Sequence, residues 1–252
     1  MIPLKTPSEI EIMAEGGQIL KRILKKLIAA ARPGVTTGEL DKLVRQLTRE
    51  AGGQPSFLNY RPEGAKNPYP AAICTSINQV IVHGLPGVYQ LQEGDLLKID
   101  IGLFYKNFHT DTAVTVGIGK ISPQGQRLLE VTRQALHQGI AQCRPGKHLG
   151  DIGFAIEQTM TKAGFQVARS LTGHGIGQEL HQEPTVSNFG QRGQGELLKI
   201  GMVLALEPMV CFGSGQIRQL KDESYASQDN SLTAHFEETV AITESGPRVL
   251  TD

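Results

Sequence analysis

The stretch Leu97–Asp111 reads LKIDIGLFYKNFHTD, and its reading decides the fold. Leu97, Ile99, Ile101 and Leu103 alternate with Lys98, Asp100 and Gly102, the period of a half-buried strand. Asp100 therefore lies on the face away from the core. After a polar tip at Lys106 and Asn107, FHTDTAVTV resumes as a β-branched return strand, so the segment predicts a tight hairpin. A tight even-numbered loop pairs positions an odd distance apart, and Asp100 and Asp111 are 11 apart, so they are expected to face each other. Directly opposed side chains have Cβ atoms roughly 5 Å apart, where like charges destabilise a sheet. The hairpin calls for a positive charge between its aspartates.

The rest of the chain limits what that charge can be. At 252 residues the protein is long enough to bury a sizeable core, and Lys plus Arg balance Asp plus Glu at 25 each. A neutral balance gives no hint of a nucleic-acid or membrane partner. Cys74, Cys143 and Cys211 are widely spaced and form no CxxC pair, which argues against a disulfide framework and against a thiolate zinc site. MIPLKTPSEIEIM has no uninterrupted apolar core of a signal peptide, and no apolar run approaches ~18 residues, so a cytoplasmic protein is expected.

Internal similarity organises the chain. RPGVTTGELDKLVRQLTREAG from Arg32 aligns without gaps to RPGKHLGDIGFAIEQTMTKAG from Arg144, 112 residues later. Each copy follows a helix: TPSE before Ile10 is a capping box with Pro7 at the first helical position, and SPQGQRLLEVTRQAL opens on Ser122 and Pro123. Each copy precedes strands. With no Ser/Gly-rich or Pro-rich linker, the expectation is one domain over residues 1–252 made of two related halves, about 1–121 and 122–252.

Three further stretches offer ligands for a cation. TGHGIGQELHQEP holds His174 and His181; GMVLALEPMV ends an apolar run with Glu207; AHFEETVAIT alternates so that His235, Glu237 and Thr239 share a strand face. Taken singly, an aspartate on a strand is commonly solvated and a histidine between glycines is often structural. Glu207 is harder to dismiss, because VLAL before it implies burial and a buried ionised carboxylate needs a partner. HGIGQ lacks the strand-to-helix setting of a dinucleotide-binding loop.

Taken in order, DIGLFYKNFHTD, GHGIGQELH, LEPMV and HFEETV resemble the type I methionine aminopeptidases over essentially the whole chain. The resemblance implies an α+β pita-bread fold, two pseudo-symmetric halves forming a curved antiparallel sheet flanked by helices. It implies two divalent metal ions (Co, Mn, Fe(II) or Zn), with Asp100 on one, His174 and Glu207 on the other, and Asp111 and Glu237 bridging both. Such a pair lowers the pKa of water from ~15.7 toward ~7, and Glu207 is the implied proton acceptor. His83, after the apolar strand INQVIV, is implied to hydrogen-bond the substrate backbone, and His181 to stabilise the developing oxyanion. Motif alignment gives Tyr69, Cys74 and Leu180 as the wall of a methionine pocket. His109, His137, His148 and His235 match no catalytic position and are expected to be structural or surface residues.

Two features depart from the family. Lys66 and Asn67 stand where relatives often carry a Tyr followed by a small or polar residue, and the chain has no Trp to form an aromatic lid near Glu223 or Tyr225. The implied partners are nascent polypeptide N-termini, met at the ribosome, with a monomeric enzyme, no nucleic acid and no membrane. Prolidase-like peptidases share the ligands, yet they usually carry a large extra N-terminal domain and tend to read EPG where this chain has EPMV. A non-catalytic protein of the same fold would be expected to have lost ligands. The short interval from His181 to Glu207 leaves no room for the helical insert of the type II enzymes, and the minimal form without an N-terminal zinc-binding extension is expected.

Overall fold

In the computed structural model, which describes residues 2–61, 64 and 66–252, paired helices open both repeats. Thr6 accepts from the Glu9 N–H while the Glu9 carboxylate accepts from the Thr6 N–H at 2.7 Å, starting α1 (Pro7–Ala30) with Pro7 in its first turn. Thr36 and Glu39 form the same box for α2 (Thr37–Glu50). The chain continues through β1 (Gln54–Pro55), β2 (Cys74–Ile77), β3 (Val80–Val82), β4 (Leu96–Tyr105) and β5 (Phe108–Gly117). Ser122 then caps α3 (Pro123–Ile140), and His148 precedes α4 (Leu149–Lys162). The starts of α2 and α4 are thus 112 residues apart, the spacing of the sequence repeat.

The remainder is strands: β6 (Gln166–Val167), β7 (Thr172–Gly175), β8 (Gln182–Ser187), β9 (Val203–Leu206), β10 (Met209–Cys211), β11 (Ile217–Gln219), β12 (Tyr225–Ser227), β13 (Thr233–His235), β14 (Glu237–Thr243) and β15 (Gly246–Val249). Nine of the strands β1–β15 form one curved antiparallel sheet in the order β1-β4-β5-β14-β9-β7-β8, with β2 on β4 and β15 on β14. Leu20, Ile23, Leu27, Leu40 and Val44 of α1 and α2 pack on Ile99, Ile101 and Leu103. Leu128, Leu136, Ile152 and Ile156 of α3 and α4 pack on Leu204, Leu206, Val240 and Ile242. Each such side chain contributes roughly 1.5–3 kcal/mol, so the helices hold the sheet by its apolar face. This is the pita-bread arrangement, and its other, concave face is free to carry polar groups.

Three expectations change at this level. Lys106 and Asn107 both take positive φ (46° and 68°), the two-residue turn that matches strand twist. With that tip, Tyr105 pairs Phe108, Asp100 pairs Ala113 and Asp111 pairs Gly102. The aspartates are therefore diagonal, not opposed: Asp100 lies two residues farther from the tip than Asp111, while both stay on the same face. Second, β4 is not half-buried; Lys98 and Asp100 are 1% and 7% exposed, because the sheet curls and further strands cover its polar face. The Lys98 Nζ donates to the Asn78 carbonyl at 2.7 Å. Third, INQVIV is no single strand: Asn78, at φ 52°, turns the chain between β2 and β3.

Candidate metal centre

Pairing across the concave face sets the candidate residues in adjacent rows. In one, Asp100 on β4, Ala113 on β5 and Glu237 on β14 are register partners in line. In the next, Asp111 lies beside Thr239, whose hydroxyl accepts from the Asp111 N–H (2.9 Å) and donates to its carbonyl (2.8 Å). Thr239 pairs Ala205 on β9, and Ala205 pairs His174 on β7. Glu207 follows β9 directly and stops that strand before Pro208. In a third row Thr115 pairs Lys98, and its hydroxyl accepts from the His235 N–H (2.8 Å) and donates to the His235 carbonyl (2.7 Å). Small residues at the row centres, Ala113 and Ala205, leave space that the flanking carboxylates and imidazole share.

Two three-residue groups have donor atoms within 4.8 Å of one another: Asp111, His174 and Glu237, and Glu207, His235 and Glu237. His174 Nε2 is 3.6 Å from Glu207 Oε1. Its Nδ1 donates to the Gly175 carbonyl at 2.9 Å, which leaves the lone pair on Nε2, toward the cluster. Asp100 lies outside both groups, yet its Oδ1, the Glu237 Oε1 and both His235 ring nitrogens are buried without a hydrogen-bond partner.

Electrostatics states the same need. Burial, with Glu207 nearby, pushes Asp100 up to about 7; burial likewise raises Glu207 to about 7. Burial and then the neighbouring carboxylates hold Asp111 and Glu237 well above the usual range. Burial lowers His235 to about 4, so its ring is neutral. Four carboxylates crowded out of water want cations, and the donor set, all oxygen and imidazole nitrogen, fits divalent metal ions. Cys74 pairs Asp100 across β2 and β4, but burial drives its thiol pKa well up, so it is no thiolate donor. All three cysteines are buried and unbridged.

The centre floors a cleft of about 670 Å³ that is also lined by Phe57, Tyr60, Tyr69, Cys74 and Leu180. Tyr69, Cys74 and Leu180 thus line it, as expected; the Tyr69 hydroxyl is 3.0 Å from the carbonyls of Ile73 and Gly84. Phe57 and Tyr60 were not expected there; two aromatics in SFLNYRP, a stretch with no strand or helix period, are the only sequence signal. His83 and His181 are both exposed and line the same cleft. His181 packs edge-on to His174 at 4.3 Å, and its Nδ1 is 2.7 Å from the Tyr60 hydroxyl. Lys66 and Asn67 are exposed and do not line this cleft. The chain lacks Trp, and the Tyr225 ring lies 5.9 Å from His83, edge-on.

Of the two roles expected for His235, burial removes the one at the surface. Expected to be structural or at the surface, it is 1% exposed, with Nε2 at 3.3 Å from Glu207 Oε2 and 3.9 Å from Glu237 Oε2. Its signal in the sequence was the two-residue period that sets it on the face of Glu237. His109 does serve structure, bonded through Nδ1 to Ser56 Oγ at 2.9 Å.

Comparison with known proteins agrees with this geometry. The family model "Metallopeptidase family M24" matches residues 11–244. A methionine aminopeptidase of Clostridium perfringens is 41% identical over 252 residues, covering 100% of this chain and 99% of that protein. Methionine aminopeptidase 1 of Bacillus subtilis is 40% identical with the same coverage. Among solved structures, the methionine aminopeptidase of Thermotoga maritima superposes with a TM-score of 0.94 at 37% identity, covering all of both chains. The prolidase of Pyrococcus furiosus superposes at 0.78 with 22% identity, covering 99% of this chain and 65% of that one, a likeness of fold alone.

Proposed function

We propose that this chain, which belongs to metallopeptidase family M24, is a methionine aminopeptidase that removes the N-terminal methionine from nascent proteins and peptides whose second residue is small. The observation that carries the reading is the floor of the cleft, where four buried carboxylates and the His174 lone pair converge beneath an apolar, aromatic wall. In this reading Asp100 holds one divalent ion, His174 and Glu207 the other, and Asp111 and Glu237 both. The ions, of Co, Mn, Fe(II) or Zn type, supply Lewis acidity and an acidified water when bound.

The chain's own residues do the rest. Phe57, Tyr69, Cys74 and Leu180 take the thioether side chain, holding the scissile carbonyl above the centre. Glu207 takes the proton of the attacking water and passes it to the departing amine. The Tyr60 hydroxyl donates to His181 Nδ1 and so keeps the hydrogen of that ring on Nε2, from where it donates to the carbonyl oxygen as charge develops. His83, across the cleft, hydrogen-bonds the substrate backbone. The whole chain acts as one catalytic domain of two related halves, a cytoplasmic monomer working on polypeptides emerging from the ribosome.

Release of free methionine from Met-Ala-Ser, compared with Ala-Pro and with metal-free enzyme, tests the reading. Metal-dependent cleavage of the first alone is expected; cleavage of Ala-Pro instead would make the protein a prolidase, and neither would make it a binding protein. A pocket of this kind discriminates by only ~1–3 kcal/mol per methylene, so norleucine is expected to be accepted and leucine cleaved weakly. Met-Phe and Met-Lys peptides are expected to be cleaved far more slowly than Met-Ala.

A further inference from the structure

We propose that His235 is a further metal ligand: its Nε2, close to Glu207 and Glu237, adds a second imidazole to the ion that His174 and Glu207 hold. This rests on the metallopeptidase reading above and adds a second imidazole to it. The ring is 1% exposed and neither nitrogen has a hydrogen-bond partner, a costly arrangement for a neutral imidazole unless something else satisfies it. Its direction is set by backbone, since the Thr115 hydroxyl grips both the N–H and the carbonyl of His235. Donors about 2.0–2.2 Å from a common ion lie about 3 Å apart at right angles and at most about 4.4 Å apart when opposed. The 3.3 Å to Glu207 Oε2 and 3.9 Å to Glu237 Oε2 fall inside that bite, as does the 3.6 Å from His174 Nε2 to Glu207 Oε1.

The rows explain how a residue behind the cleft reaches the centre. His235 pairs Met209 and Glu238 pairs Leu206, so β13–β10 continues the register of β14–β9 across the break at Phe236 and Pro208. His235 therefore stays on the face of Glu237 and points at the side of Glu207 turned away from His174. With an imidazole on each side of Glu207, the centre favours borderline cations such as Co(II), Fe(II) or Zn(II) over oxygen-seeking Mg(II).

Proton NMR of the cobalt-loaded full chain reads the ligands directly, because an imidazole bound to Co(II) shows a hyperfine-shifted, exchangeable N–H. Two such signals are expected in the native protein, one lost in His235→Gln and the other in His174→Gln. Cobalt titration calorimetry is expected to show one site weakened at least ~10-fold in His235→Gln, with the melting temperature of the metal-free variant confirming that it folds. A single imidazole signal in the native protein, persisting in His235→Gln, would overturn the assignment while leaving the metallopeptidase reading intact. A native protein that binds no cobalt would overturn both.

Discussion

Asp111 illustrates how little freedom a residue at this centre has. Its backbone is fixed through the Thr239 hydroxyl on both sides, and its Oδ1 accepts from the Thr112 N–H at 2.9 Å, so the side chain is aimed before any ion arrives. Asp111→Asn keeps the size and removes one ligand charge from both ions. It is expected to bring turnover close to background and to lower the cobalt content per chain, measured by elemental analysis after gel filtration. In the proposed reading His181 and His83 hold no ion. His181→Ala and His83→Ala are expected to lower kcat/KM by ~100-fold or more, the scale of a lost oxyanion donor, with unchanged metal stoichiometry. Tyr60→Phe frees the His181 tautomer and is expected to give a smaller loss of kcat/KM in the same direction; an unchanged value would remove Tyr60 from the mechanism.

At the scale of elements, what was local in the chain was legible and what depended on counting through a turn was not. The cap of α1 was readable because Thr6 and Glu9 satisfy each other's backbone within four residues, and Thr36 with Glu39 forms the same box at α2. Thr36→Ala breaks one such box and is expected to cost about 1 kcal/mol, lowering Tm by about 2–4 °C without changing metal content. Gly17 of α1 has a less local reason: a Cβ there would meet the Leu250 carbonyl at 2.1 Å, so Gly17→Ala is expected to lower Tm by more than Thr36→Ala. The β4–β5 hairpin was recognisable from its period and its tip is the expected Lys106 and Asn107, but counted through that tip Asp100 pairs Ala113, two residues beyond the Asp111 expected opposite it. An error of two residues leaves every face correct and moves every partner.

For the whole molecule, the buried charges make stability depend on pH and on metal together. Raised carboxyl pKa values mean that the folded, metal-free protein binds more protons than the unfolded chain, so its stability falls as pH rises toward those values. Buried histidines such as His235 and His109, both lowered to about 4, act oppositely, destabilising the fold as pH drops below their ordinary 6.5. Below pH 6.5 the two effects offset each other; above it the histidines are neutral in both states and only the carboxylates remain. Metal-free protein is therefore expected to lose Tm between pH 6.5 and 8, followed by calorimetry. Added Co(II) is expected to raise Tm by an increment that widens over the same range, since ions bind the deprotonated carboxylates. No metal-induced shift at pH 8 would contradict a metal centre.

The sequence by itself determined the starts of α1 and α3, the 112-residue repeat, the alternation of the hairpin and the order of the four motifs that carry the five candidate ligands, because each is carried by neighbours along the chain. His174, Glu207 and Glu237 could be suspected singly, but their meeting lies in the pairings of Ala113 with Glu237, Thr239 with Ala205 and Ala205 with His174, partners 124, 34 and 31 residues apart. Tertiary structure alone decided that Asp100 is buried, that Phe57 and Tyr60 wall the cleft, and that His235 is no surface histidine. The physical reason is common to all three. A period of two says which residues share a face, whereas curvature and register between distant strands decide whether that face meets water, an aromatic wall or another carboxylate.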